Sequence, residues 1–324
     1  MNCMCKTKRS FKEIHTTITS FKYLISRVGL TINPSSELNR ICENALALEE
    51  IFQGRLVGEF EDKLPEFMSE AMGIYDFAKK LLAIEGHENF SELTPHFHLL
   101  NQGSVAQNIK SRVTDQASNK LFELYLVAVT MPKGRNLKLD DPNSAKGDNP
   151  DILIDLRGRR WGFACKVVHS ANEKTIFQNI AKAMSQIDNS DCEIGIPVIN
   201  MKNIVDHAAL WPLLNQEEVN SGKEPIWGAF IDIDHPKNMI NSIVQDLFNK
   251  YQSDEWRTEF TELFKNTVKP PPAIMYILQG GSSVVKNKMP IPTRLNVTAV
   301  MPFRKFQKDE QKILRSINRT IQCV

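Results

Sequence analysis

The chain has 324 residues, 42% of them hydrophobic, which is enough for one large domain or two ordinary ones with a substantial core. Its 40 lysine and arginine residues nearly balance 38 aspartate and glutamate residues, so the net charge is +2. A histone-like chain and a polyanionic chain are thereby excluded, although a local basic groove is not. Apolar runs such as 124–129 and 273–278 are far shorter than the roughly 18–20 residues of a membrane span, so we expect no membrane association.

The six cysteines form no evident metal site or disulfide framework. Only Cys3 and Cys5 are close together, and no second pair completes a four-ligand zinc site. No apolar stretch follows the basic residues near the N-terminus, so that segment does not resemble a secretory signal. We therefore expect free thiols in a reducing compartment and a cytoplasmic location.

The first third of the chain is predicted to be helical. Apolar residues recur at helical spacing in 11–28, 36–52 and 62–84, and Asn33 to Ser36 supply a turn and an N-cap for the second of these helices. A further helix is predicted over 115–131, where Pro132 and Gly134 end it. We expect this helical region to bind a protein partner or a second copy of the chain.

The rest of the chain alternates short strands and helices. Strands are predicted at 136–140, 151–156, 161–168, 194–198, 226–233, 273–278 and 295–301. Helices are predicted at 172–187, between 233 and 264, and at 308–321. The turn at Gly158 joins the second and third strands as a hairpin. These elements predict a helical N-terminal region (1–111) and an α/β domain (112–324) that has a core at 112–200 and a C-terminal extension at 201–324.

The predicted hairpin brings polar residues beside the core. Because side chains alternate along a strand, Lys166 points away from a uniformly large apolar row at positions 161, 163, 165 and 167. With the turn centred on Gly158, Asp151 lies within side-chain reach of Lys166. Glu123 is a lone acid in the apolar stripe of the preceding helix. Two acids and a lysine next to core residues are costly to place without a function.

These residues and their spacing resemble the PD-(D/E)xK nuclease superfamily, which has the restriction-endonuclease-like fold. Its pattern is a helix bearing Glu, a strand that begins Pro-Asp, and a paired strand bearing (Asp/Glu)-x-Lys. The present chain has Glu123, then Pro150-Asp151, then Ala164-Cys165-Lys166. The resemblance covers about residues 112–200 and implies an α/β fold with a mixed sheet in αβββαβ order.

The resemblance implies a metal-dependent endonuclease with Mg²⁺ or Mn²⁺ as the cofactor, and DNA is favoured over RNA as the substrate, although the sequence leaves both open. Asp151, the carbonyl group of Cys165 and the acid expected at the Ala164 position would hold the ion. Lys166 would position the attacking water, and Glu123 would orient that water or supply the missing acid. An effector role in a prokaryotic defence or DNA-processing system is a further implication.

Ala164 departs from the family's pattern, because the acid expected there is a metal ligand. Three explanations stay open: Glu123 or Glu173 supplies the acid from a helix, the chain is a variant disabled by substitution, or it is a pseudo-nuclease that only binds. The alternative function is therefore a catalytically silent DNA-binding or scaffold subunit. A third hypothesis is an interaction protein in which these polar residues are structural and Lys120 pairs with Glu123.

Two groups of cations are candidates for contact with nucleic acid. One surrounds the hairpin and is predicted to lie near the catalytic residues; it consists of Lys133, Arg135, Arg157, Arg159 and Arg160. The other is a stripe on the closing helix, made of Lys308, Lys312, Arg315 and Arg319. Apolar residues on another face of that helix predict that it docks on the core with its basic side outward. An ordinary solvated surface would explain either group as well.

Overall fold

The computed structural model of the chain describes residues 11–52, 63–111, 116–142, 149–212, 229–286 and 289–322. Its α-helices are α1 (Phe11–Arg27), α2 (Glu37–Phe52), α3 (Leu64–Leu82), α4 (Thr94–Phe97), α5 (Gln116–Thr130), α6 (Glu173–Asp188), α7 (Asp234–Tyr251), α8 (Asp254–Lys265) and α9 (Lys308–Gln322). Its strands are β1 (Gly134–Leu139), β2 (Ile152–Leu156), β3 (Arg159–Val167), β4 (Ile194–Asn200), β5 (Ala273–Lys286) and β6 (Met289–Pro302). Within these ranges, no helix has the length and apolar character needed to cross a membrane.

The predicted helices of the first third are confirmed to within about two residues at each end. Ser36 caps α2 as expected, because its hydroxyl accepts the N–H of Asn39 at 3.1 Å. The apolar faces of α1, α2 and α3 belong to the same continuous core cluster as the strands β2, β3 and β4. The division of the chain at residue 111 into two units stays a prediction.

The six strands form one mixed sheet in the order β1-β2-β3-β4-β5-β6. β1, β2 and β3 are antiparallel neighbours, β3, β4 and β5 run parallel, and β6 returns antiparallel to β5. The predicted hairpin is confirmed: Arg157 (φ 53°) and Gly158 (φ 76°) form a two-residue turn in which both residues have positive φ. Glycine adopts this conformation without strain. The two-residue turn fixes the register of β2 against β3.

Helices cover both faces of the sheet. α5, α9 and the N-terminal helices share one core cluster, and α6, α7 and α8 pack mainly in a second cluster with strands β5 and β6. The fold is therefore α/β with a mixed sheet, as predicted. Residues 116–200 follow the expected order of helix, three strands, helix and strand.

Two predictions for the C-terminal half need correction. β5 and β6 extend well beyond the predicted 273–278 and 295–301. The strand predicted at 226–233 does not form where it can be judged: 226–228 lie outside the described residues, and Phe230 makes only an isolated bridge with Val284. The cause is Asp232, whose carboxylate accepts the N–H groups of Asp234 (2.9 Å) and His235 (3.1 Å) and so turns the chain into α7.

Candidate functional site

Asp151 and Lys166 meet at the carboxyl end of β3, the edge of an α/β sheet where ligands commonly bind. Lys166 Nζ lies 3.8 Å from Asp151 Oδ2, as the predicted hairpin register requires. The same oxygen accepts the backbone N–H of Cys165 at 2.7 Å, which fixes the carboxylate against β3. Burial, and then the charge of Asp151, raises the pKa of the Cys165 thiol well above its ordinary value, so this cysteine is not a thiolate nucleophile.

A glutamine of α6 completes the surroundings of Lys166. Gln186 accepts a hydrogen bond from Lys166 Nζ through Oε1, and its Nε2 donates to the carbonyl of Asn149 at 2.7 Å. The Gln186 side chain is buried. It links α6 to the segment that precedes Asp151.

The ammonium group of Lys120 lies among three carboxylates. Its Nζ is 3.0 Å from Glu123 Oε2, 3.4 Å from Asp151 Oδ1 and 3.9 Å from Asp140 Oδ2. Burial lowers the pKa of Lys120, but Glu123 and Asp151 outweigh that effect and raise it above its ordinary value. Lys120 therefore stays charged, and we call Lys120, Glu123, Asp140 and Asp151 the carboxylate cluster.

Glu123 is the most deeply buried acid of this cluster. Burial, followed by the negative charge of Asp151, raises the pKa of Glu123 well above its ordinary value, and Lys120 opposes the shift. His96 Nε2 lies 3.5 Å from Glu123 Oε2. Burial and the ammonium group of Lys120 lower the pKa of His96 to about 4, so the imidazole is neutral at physiological pH.

Ala164 lies in a small apolar cluster between the sheet and α6. The side chain is fully buried (0% exposed) and packs with Leu153, Ala183, Ile187 and Cys192. A carboxylate at this position would be surrounded by these apolar side chains. Glu173, at the start of α6, pairs with Lys250 at 3.4 Å. Of the two acids proposed to take that role, only Glu123 is close to Asp151.

The donor set does not fit a resident divalent cation as these side chains stand. The Oδ2 atom of Asp151 accepts the Cys165 N–H, its Oδ1 faces Lys120, and Glu123 Oε2 also faces Lys120. In the described part of the chain, no group of three or more His, Cys, Asp or Glu side chains is arranged to hold a metal ion. The ligand roles given to Asp151, the Ala164 position and the Cys165 carbonyl stay predictions.

The sequence predicts that the basic residues of the hairpin lie beside the catalytic candidates. The structure corrects this prediction for the arginines at the hairpin turn. Arg157 lies in the turn and Arg159 follows it, whereas Asp151 precedes the opposite end of β2. From Asp151 to Leu156, the last residue of β2, there are five residue steps of roughly 3.4 Å, or about 17 Å. Three of these arginines also contact an acid: Arg157 pairs with Asp309 (3.3 Å), Arg159 with Glu193 (3.3 Å) and Arg160 with Asp155 (3.0 Å).

Sequence reasoning missed part of the cluster. Lys120 was considered only as the partner of Glu123 three residues later, and this i,i+3 pair is indeed present. The sequence predicts Asp140 only as the end of a strand, yet its N–H donates to the Asp151 carbonyl at 3.1 Å, so the two acids lie on neighbouring segments of the sheet edge. The sequence signal for this cluster is that the αβββ order brings several acids to the sheet edge that carries Asp151, where a buried cation is needed to balance them.

Comparison with known proteins gives no assignment. No family model, no curated protein and no solved structure matches the chain.

Proposed function

We propose that this chain is a catalytically silent DNA-binding protein built on a restriction-endonuclease-like core. One observation carries the proposal: the ammonium group of Lys120 contacts Glu123 and Asp151 at 3.0 and 3.4 Å, so a cation of the protein itself already pairs with the acids that a divalent cation would need. A buried ammonium group neutralises carboxylates, but it does not supply the Lewis acidity with which a metal ion activates water.

Two further features support a silent site. Ala164 stands where the family has a carboxylate, and apolar side chains surround it under α6. The side chains of Lys120, Glu123 and Asp151 are each at most 7% exposed, so a phosphodiester has little access to them. The Lys166 side chain is 18% exposed and is the part of the site nearest to solvent, together with Asp140.

A metal-dependent endonuclease is the second candidate. It is favoured by the arrangement of Asp151, Lys166 and Gln186, which brings together a carboxylate, a lysine and a polar helix residue of the kind that some members of the family have near the site. In that case Asp151 and Glu123 would hold Mg²⁺ or Mn²⁺ once Lys120 moved away, and the ion would polarise the scissile phosphate. Lys166 would hold the attacking water.

A cleavage assay combined with a binding assay separates the two candidates. Supercoiled and linear DNA would be incubated with the wild-type chain and with Lys166→Ala, in Mg²⁺, Mn²⁺ or EDTA. For a silent binder, we expect no cleavage by either protein and the same affinity for a labelled duplex with metal or with EDTA. Metal-dependent cleavage that Lys166→Ala abolishes would instead support the endonuclease. Absence of binding to DNA would contradict both.

A further inference from the structure

The exposed face of α9 and the tip of the β2–β3 hairpin form a single surface, although they lie about 150 residues apart in the sequence. Arg159 donates to the Gln307 side chain at 2.9 Å, Lys133 donates to Ser316, and Arg157 pairs with Asp309 at 3.3 Å. A cavity of about 360 Å³ opens between them, lined by Lys133, Arg157, Lys312, Ile313 and Ser316. Lys133 also borders a second open cavity, of about 590 Å³, which Arg135 lines as well.

The orientation of α9 is fixed by its apolar side. Ile313, Leu314, Ile317 and Ile321 are buried in the main core cluster. At the N-terminus, Glu310 accepts the N–H of Gln307 at 2.8 Å and two hydrogen bonds from Arg304, at 2.7 and 2.8 Å. This acid therefore closes the first turn and does not neutralise the outer face. The predicted docking of the helix with its basic side outward is confirmed.

The outer face of α9 carries a narrow row of positive charge. Lys308, Lys312, Arg315 and Arg319 are all exposed and follow each other at helical spacing. Eleven residues of helix extend about 16 Å, the length of roughly five base pairs of DNA. Asp309 is the one acid of α9 besides Glu310, and it is shared between Arg157 and Lys312, which lies 3.7 Å away. Positive charge therefore predominates along the whole row.

We propose that this surface, which we call the α9 face (Lys133, Lys308, Lys312, Arg315 and Arg319), binds the phosphate backbone of duplex DNA. The proposal rests on the DNA-binding function proposed above and assigns it to a surface separate from the carboxylate cluster. The helix dipole does not contribute, because the cations lie along the side of the helix. Counter-ion release makes each phosphate contact strongly dependent on salt, whatever the base sequence.

The test compares two variants with the same change in net charge. The α9 variant, K312Q/R315Q/R319Q, removes three exposed cations from the α9 face, and glutamine preserves helix propensity there. The control variant, K250Q/R257Q/K265Q, removes three exposed cations from α7 and α8, on the other side of the sheet. Affinity for a labelled duplex of arbitrary sequence is measured by fluorescence anisotropy over a range of salt concentrations.

We expect the α9 variant to bind at least tenfold more weakly at about 0.1 M salt and to lose about 2 to 3 units from the slope of log K against log[salt]. The control variant should retain the wild-type slope to within about one unit. Equal weakening in both variants, or in neither, would overturn the assignment while leaving DNA binding intact. Lack of binding by the wild-type chain would overturn the proposed function itself.

A measurement on the wild-type chain avoids any dependence on the folding of the variants. Lysines are acetylated in the presence and absence of duplex DNA, and the modified positions are identified by mass spectrometry. Lys133, Lys308 and Lys312 should be protected by DNA, whereas Lys250 and Lys265 should react equally in both samples. Protection of Lys250 and Lys265 without protection of α9 would refute the proposal.

Discussion

Removal of the Lys120 ammonium group is the most direct test of its role in the carboxylate cluster. Lys120→Met keeps most of the side-chain volume but leaves Glu123 and Asp151 without the cation that lies 3.0 and 3.4 Å away. Loss of one partner from a buried ion pair costs about 3–5 kcal/mol. For 324 residues, an unfolding entropy of about 2 cal/mol/K per residue converts this loss into a fall in Tm of roughly 4–8 °C.

The assay is thermal unfolding at neutral pH, with and without millimolar Mn²⁺. Mn²⁺ should raise the Tm of Lys120→Met, because a cation site has been opened, and should leave the wild-type Tm unchanged. The matched control is Lys166→Met, which removes a lysine that is 3.8 Å from the same Asp151 but partly exposed; it should cost only about 1 kcal/mol. If Lys120→Met unfolds at the wild-type temperature, Lys120 is not the counter-ion of these acids and the reasoning fails.

Three other substitutions or conditions test the same site. Because the pKa of Glu123 is raised in the folded state, the folded chain keeps a proton that the unfolded chain releases above about pH 4.3, and stability is lost as pH rises from there toward the folded pKa. Glu123→Gln lacks this loss, so across that interval it should gain stability relative to wild type by up to about 1.4 kcal/mol per pH unit in urea unfolding. Ala164→Glu should lower the free energy of unfolding by about 3 kcal/mol or more, because it forces a carboxylate into the apolar cluster under α6; a stable, DNA-cleaving Ala164→Glu protein would favour the endonuclease. EDTA should change neither the Tm nor the affinity for DNA, and a clear loss of either would point to a resident metal ion.

The local elements were predictable because the patterns that define them are local. Apolar residues at helical spacing predicted 11–28, and the structure has α1 at Phe11–Arg27. The meeting of Asp151 with Lys166 was also predictable, since the tight turn at Gly158 fixes how residues pair across the hairpin. The absence of the predicted strand at 229–233 was not predictable, because it depends on a side-chain contact of Asp232 with the following backbone.

The centre of the candidate site could not be obtained from the sequence. Spacing on α5 indicates that Lys120 can reach Glu123, but its approach to Asp151 and Asp140 depends on how α5 packs across the sheet. The position of the basic hairpin residues was within reach of sequence reasoning. Counting residues along β2 from Asp151 to the turn at Arg157 already places the arginines at the far end of the strand.

The separation of the carboxylate cluster from the α9 face has a consequence that can be measured. Sites further apart than about 10 Å that share no partners contribute independently to stability and binding. The hairpin tip, where Arg157 pairs with Asp309 of α9, lies about 17 Å along β2 from Asp151. Lys120→Met should therefore lower Tm without changing the affinity for DNA, and the α9 variant should weaken binding without lowering Tm. The protein that combines both changes should show the two effects added together. A hydrolytic enzyme would behave differently, because its phosphate must reach Asp151 and Lys166, so substitution of Lys120 would alter the salt dependence of binding as well.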